Sequence, residues 1–368
     1  MPHTDLQHNR VVLAETMRLL RLSMIPDAET SPLGSDIALL DVISTARDQF
    51  VLWPICQGLL KVSTGRPEAS AVTQVVNGVL GTIDAQADRT CEQLSELTAA
   101  LADEGISPLF LKGAAFILEN GLAPQPWRPM CDLDFLVGRD ELCRTVEIAR
   151  HLGYAASHDR FSEVHDVHYP MLLRPPDVIG LEAHVKLTWA NLPASLSADA
   201  FQRDALSVDT GSGVVRIPSD LHRIAHLVIH AQISAHRFGR NEIALRDLMD
   251  WYHLAGRETV DLDELDRLFD AAGYQPHFRS FAAFCENFWH PGEERLNWFA
   301  GDSQAAWRET TMQALVDPRR RGRALLRNWA RMAGRALFSP REAARLARSL
   351  AESRRPRQVH DLFRSLFR

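Results

Sequence analysis

The chain has 368 residues, 46% of them apolar and 24% charged, with a net charge of −6. That balance belongs to a soluble globular protein long enough for two domains or one large one. No apolar run approaches a membrane span, and Asp5, His8 and Arg10 exclude a signal peptide of the usual form.

Five cysteines (Cys56, Cys91, Cys131, Cys143 and Cys285) are odd in number and contain no CxxC pair. They argue for reduced thiols in a cytoplasmic protein, and against a disulfide frame or a zinc knuckle. The net charge is unevenly spread. From Pro318 to Arg368 there are 15 arginines against Glu342, Glu352 and Asp361, so this tail carries +12 and the remainder −18. Of 41 basic residues only Lys61, Lys112 and Lys186 are lysine. Where arginine is so favoured, a lysine marks a place that wants a compact, mobile charge instead of a planar fork.

Residues 10–104 read as helices. Val11, Val12, Ala14, Met17, Leu19 and Leu20 open one, the run from Asp36 starts another, and a long one spans about 71–103 with Gly105 as its stop. The texture changes at Pro108-Leu109-Phe110-Leu111-Lys112, a short buried strand that turns at Gly113 into a helix over 114–120. A proline-rich loop holding Arg128 follows. Residues 131–137 form the next strand, and an amphipathic helix spans about 140–152 with Gly153 as its stop. Strands are expected at 166–174 and 178–188. In the second, Ile179, Leu181, Ala183, Val185 and Leu187 share one face, while Glu182, His184 and Lys186 share the other. From Pro218 the chain returns to helix, capped by Ser219 or Asp220. The predicted organisation is an N-terminal helical region (1–104), an α+β core with a small mixed sheet (105–217), a C-terminal helical region (218–317) and a basic helical tail (318–368). In that tail Arg323, Arg327, Arg331 and Arg335 fall on one face. They form either a solvated stripe or a contact for RNA, an acidic partner or a membrane surface.

The chemistry centres on Cys131-Asp132-Leu133-Asp134-Phe135-Leu136-Val137. Alternation in a strand points Asp132 and Asp134 to the same side, and two like charges held so close require a counter-ion. Mg²⁺ (or Mn²⁺) takes one or two carboxylates and completes its shell with waters and phosphates. A third carboxylate on another strand, Glu182, completes the set that two-metal phosphoryl transfer needs. Lys112-Gly113 suits a phosphate at a helix N-terminus, and Arg128 suits a triphosphate clamp. His222, His226 and His230 repeat every four residues, but no Glu or Cys completes a zinc site, so they read as packing or substrate-lining groups.

Leu111-Lys112-Gly113, Arg128 with Asp132-Leu133-Asp134-Phe135-Leu136-Val137, Gly153-Tyr154, His168-Tyr169-Pro170, Leu181-Glu182-Ala183-His184 and Arg246-Asp247, in this order over 105–250, resemble the uncharacterised nucleotidyltransferase family of the polymerase-β-like superfamily. The resemblance implies metal-dependent nucleotidyl transfer from an NTP, most readily ATP, to a small-molecule, sugar or peptide hydroxyl. Asp132, Asp134 and Glu182 would be the metal carboxylates, with Lys112, Gly113, Arg128, His184 and Lys186 contacting the nucleotide. The chain departs from the wider superfamily in having Lys-Gly-Ala where a Gly-Ser or Gly-Gly turn is usual, and in the Val185-Lys186 that follows His184.

A nucleotide-sugar glycosyltransferase would place an α/β half before its DxD, where this chain is helical. A haloacid-dehalogenase-type phosphatase would carry the motif early, and a P-loop kinase is excluded by the absence of GxxxxGK[ST]. Transfer of the γ-phosphoryl group on the same fold and a non-catalytic adaptor using the basic tail remain as alternatives.

Overall fold

The computed structural model describes residues 6–25, 31, 37–63, 69–158, 167–175, 177, 179–211, 213–291 and 302–317. The basic tail and the starts of the strands expected at 166 and 178 lie outside these.

Three helices open the chain: α1 (Leu6–Met24), α2 (Leu39–Asp48) and α3 (Leu52–Ser63). A long α4 (Ala69–Asp103) follows and ends at Gly105, whose φ of +72° lets the backbone reverse. Next come β1 (Leu109–Phe110), α5 (Lys112–Glu119), β2 (Asp132–Leu136), α6 (Leu142–His151), β3 (Ala155–Ala156), β4 (Leu172–Leu173) and β5 (Gly180–His184). Then α7 (Ala198–Arg203) precedes a hairpin of β6 (Leu206–Asp209) and β7 (Val214–Ile217). The remainder is helical: α8 (Asp220–Val228), continued by a π-helical turn at Ile229–Ser234, then α9 (Leu245–Ala255), α10 (Leu262–Ala271), α11 (Gln275–Trp289) and α12 (Asp302–Val316). No described helix is long and apolar enough to cross a membrane.

The described strands form one mixed seven-stranded sheet in the order β3-β4-β5-β2-β1-β7-β6. At its centre β2 pairs in parallel with β5 and antiparallel with β1, while β7 joins β1 in parallel. The hairpin of β6 and β7 extends the sheet beyond the four strands that the sequence suggests. The strand expected over 166–174 shrinks to Leu172–Leu173 plus an isolated bridge between His168 and His184. Pro170 lies between the two and has no N–H to give the ladder. The strand expected over 178–188 stops at His184, because the N–H groups of Val185 and Lys186 both bond the Val167 carbonyl (2.9 and 3.1 Å) and break the alternation.

Each sheet face is covered by its own apolar cluster. Phe110, Leu133, Phe135, Leu181, Ala183 and Val215 pack against Leu94, Leu97 and Leu101 of α4 and against Val146 and Ala149 of α6. On the opposite face Leu109, Leu111 and Leu136 join a cluster that contains Leu19 and Leu20 of α1 together with Ile224, Trp251 and Phe281. The first three helices and the C-terminal ones thus share one core. The Tyr252 hydroxyl donates to the Met24 carbonyl at 3.2 Å, and the Asn9 amide to that of Val316 at 3.4 Å. Ser219 caps α8 as expected, accepting from the His222 N–H.

One buried ion pair ties the loop before β2 to these helices. Arg128 donates from Nε and Nη2 to the two oxygens of Asp250 on α9, both at 2.8 Å. The side chains are 5% and 7% exposed, so removing one partner strands the other charge. Asp250→Asn is expected to lower the unfolding free energy by about 3–5 kcal/mol in urea titrations. The double change Arg128→Met with Asp250→Leu should recover most of it, and a double variant as unstable as the single would contradict this account.

Two buried histidines give the fold a pH dependence. His253 is pushed down to about 4, chiefly by burial, and burial alone takes His277 to about 4. In the unfolded chain each titrates near 6.5. Unfolding therefore takes up protons between these values, so stability is full above about pH 6.5 and falls as the pH drops through 4. Thermal melts between pH 8 and 4 should show this decline. His277→Phe, which keeps the stack on Phe238 (ring centroids 4.1 Å apart), should make it shallower.

Candidate active site

In the parallel register of β2 and β5, Asp132 lies opposite Gly180, Asp134 opposite Glu182, and Leu136 opposite His184. Paired residues of parallel strands share a face, so Asp132, Asp134, Glu182 and His184 project together on the side of the C-terminal helices. The residues between them, Leu133, Phe135, Leu181 and Ala183, fill the other core. The alternation that makes the strands amphipathic thus also assembles the site.

Asp134 is the centre of it. Only 2% exposed, its Oδ1 accepts from Lys112 Nζ at 2.7 Å and meets His184 Nε2 at 2.9 Å. Burial would push its carboxyl up, but Lys112 and His184 outweigh that and hold it well below the usual range. The reverse holds for His184: burial would lower it, and its bonds to Asp134 and Glu182 raise it instead. Glu182 stands 3.7 Å from His184 Nε2 and 4.0 Å from His168 Nε2. Burial works to raise its pKa too, and the two histidines bring it down on balance. Asp132 has no such relief. Burial and the charge of Asp134 push it up to about 6, against a smaller pull from Lys112.

Asp134, Glu182 and His184 each offer a ligand atom, all within 4.8 Å of one another. Carboxylate oxygens with one imidazole suit a divalent cation such as Mg²⁺ or Mn²⁺. The tight group differs from the expected trio: His184 takes the place of Asp132, which faces Gly180 and lies one strand position further out. The donor set of Asp134, Glu182 and His184, with the Asp132 carboxyl on the same face, fits such an ion.

Lys112 reaches Asp134 through local backbone strain. Its N–H neighbour Leu111 donates to the Asp134 carbonyl at 2.9 Å, and Lys112 itself then adopts φ +49° as strand passes to helix in one residue. Gly113 also meets a packing constraint. A Cβ there would collide with Met130 Sδ and lie 2.6 Å from Arg128 Nη1. Arg128 is committed elsewhere, since the pair with Asp250 takes two of its donor groups. Lys186 falls past the end of β5, where its carbonyl lies 3.3 Å from His184 Nδ1. Arg246 and Asp247 do not pair with each other: Asp247 bonds Arg237 at 2.6 Å, and the Arg246 guanidinium lies over the Phe50 ring at 5.0 Å.

A cavity opens beside Asp134, lined by Lys112, Arg128, His226, His230, Arg246 and Asp247 among others. Burial and the Lys112 charge bring His226 down to about 3, and Lys112 and burial hold His230 well below its usual value. Both are uncharged at neutral pH. His222 instead packs on Phe201 (centroids 4.3 Å apart). The sequence offered no sign of Asp250 as the Arg128 partner, because nothing in the spacing sets it apart from other carboxylates on α9.

Sheet and site together define an α/β protein with a carboxylate and imidazole centre able to hold a divalent cation. The chain belongs to the uncharacterised nucleotidyltransferase family, whose match runs over residues 39–290. Every candidate site residue, from Lys112 to Lys186, lies inside the matched span. Comparison with curated proteins and with solved structures gives no match.

Gly113→Ala is expected to cost about 1–3 kcal/mol of stability by overpacking. Met130→Ala in the same background should restore part of it. Denaturation midpoints test this, and a neutral Gly113→Ala would contradict the packing constraint.

Proposed function

We propose that the protein transfers a nucleotidyl group from an NTP, ATP before the others, to a hydroxyl of a small molecule, sugar or peptide, on a sheet of the polymerase-β type. The observation that carries this reading is the gathering of Asp134, Glu182 and His184 within 4.8 Å, with Asp132 on the same face, in a chain of nucleotidyltransferase family. Asp134, Glu182 and His184, with Asp132 beside them, would hold Mg²⁺ or Mn²⁺. A divalent cation bound there supplies charge neutralisation and polarisation of the phosphoryl oxygens.

The chain's own residues do the rest. Lys112 and His184 keep Asp134 ionised in a buried position, so the carboxylate is preorganised before substrate arrives. Glu182, flanked by His184 and His168, takes the proton of the acceptor hydroxyl as its oxygen attacks the α-phosphorus. The bond from the α-phosphorus to the bridging oxygen breaks in line, and pyrophosphate leaves.

Incubation with α-labelled or γ-labelled ATP, Mg²⁺ and cell extract separates the reactions. Acceptor labelled only from the α-position is the expected result, and label only from the γ-position would replace this reading with phosphoryl transfer. Asp132→Asn, nearly isosteric, should slow the transfer by roughly 100- to 1,000-fold, the usual loss when one preorganised electrostatic group is removed. Chelation of divalent cations should abolish it, and full activity in that variant would sink the site assignment.

A further inference from the structure

The cavity beside Asp134 is lined by four cationic side chains, and three of them are already committed. Lys112 bonds Asp134 at 2.7 Å. Arg128 holds Asp250 through two bonds at 2.8 Å. Arg223 pairs with Glu119 at 2.6 Å and with Asp220 at 3.4 Å. The two carboxylates of the wall are taken as well, Asp250 by Arg128 and Asp247 by Arg237. Arg246 is the exception. It makes no ion pair among the described residues, its Nε is buried without an acceptor, and its guanidinium rests on the face of Phe50.

Such a guanidinium is held flat by the ring and keeps its N–H edges for something else. Burying an N–H without a partner is costly, so native structures rarely leave one without a reason. The position of Arg246 is informative too. Arg246 lines the same cavity as Lys112, whose ammonium holds Asp134. Across the cavity, His226 and His230 are neutral, so each keeps one N–H donor and one acceptor nitrogen. No side-chain hydrogen bond engages either imidazole among the described residues. Arg246 and Lys112 are half-buried in the cavity wall, whereas Arg128 and Arg223 are buried.

We propose that Arg246, with the imidazoles of His226 and His230, forms the subsite that takes the phosphate chain of the nucleotide donor. This rests on the nucleotidyl-transfer reading. A guanidinium fork fits two oxygens of a phosphate, and neutral imidazole N–H groups add donors without the desolvation cost of further charge. The carboxylate cluster then lies at one end of the donor and this subsite at the other. A purely packing role for Arg246 on Phe50 would leave its buried Nε without an acceptor.

Isothermal titration of the full chain with Mg²⁺-ATP, and separately with inorganic tripolyphosphate, tests the subsite. Arg246→Gln should weaken both ligands by about 10- to 100-fold, and Arg246→Lys, which keeps the charge and loses the fork, should lose less. In the unmodified protein, tripolyphosphate should slow phenylglyoxal modification of Arg246, read by mass spectrometry, and leave that of Arg139 unchanged. This second measurement does not depend on a variant folding. ATP binding that is equally tight in wild type and Arg246→Gln would overturn the subsite and leave nucleotidyl transfer standing. Tripolyphosphate binding through Arg246 without any nucleotide binding would uphold the subsite and remove that reading. Failure of the wild type to bind either ligand overturns both, and absence of protection at Arg246 overturns the subsite.

Discussion

The charge on Asp134 organises the centre of this protein. A carboxylate that is 2% exposed on the central strand of a sheet is sustainable only if it is paired. Its single Oδ1 takes both partners, Lys112 from the β1–α5 turn and His184 from the end of β5. Three segments far apart in sequence are thereby fixed to one atom. The left-handed backbone at Lys112 belongs to the same constraint, because the chain must turn from strand to helix at once for the ammonium to come back over β2. The pairing is incomplete, however. Asp132 and Glu182 share the face; Glu182 has His184 and His168 beside it, whereas burial and the charge of Asp134 push Asp132 up to about 6. That residual imbalance is where a divalent cation has something to gain.

Around this centre, ion pairs do the work of aligning layers. Arg128 and Asp250 join the loop before β2 to α9, and the glycine at position 113 leaves room for the arginine to pass. Glu119 at the end of α5 is shared by Arg223 and Arg257, and Asp220 takes the same two arginines, so α5, α8 and the turn after α9 meet in one charged knot. Buried pairs of this kind add little net stability over apolar packing, but breaking one is costly. They set which helix faces the cavity, and so which side chains line it.

Much of this was legible in residue order. The alternation over 179–187 separates core from site as far as His184: Ile179, Leu181 and Ala183 fill one core, and Glu182 and His184 share the face of Asp132 and Asp134. Beyond the break at Val185 and Lys186, Leu187 joins the opposite cluster. Ser219 announces its own helix. The rest depends on quantities that sequence order does not carry. Whether Asp132 or His184 completes the tight group depends on the strand register, which places Asp134 opposite Glu182. The hairpin of β6 and β7 is hard to read because its outer strand, Leu206 to Asp209, is a four-residue, mostly exposed edge, too short for its alternation to stand out. Arg128 looked like a phosphate clamp because arginines near paired aspartates often are. Its partner is 122 residues away, a separation at which spacing says nothing.

The scarcity of lysine acquires a physical meaning at position 112. The chain uses arginine for nearly all its positive charge, including the buried side of the pairs Arg128–Asp250 and Arg223–Glu119. Beside Asp134 only one oxygen is engaged, and His184 already occupies part of the space around it. A guanidinium would bring a planar fork that wants two acceptors side by side, whereas an ammonium is a point donor that can share one oxygen with an imidazole. Arginine would also hold Asp134 by a bidentate grip less easily released to a cation. Lysine at this position therefore leaves the carboxylate charged, buried and with its second oxygen not taken up by the ammonium, which is the state that the proposed metal-binding role requires.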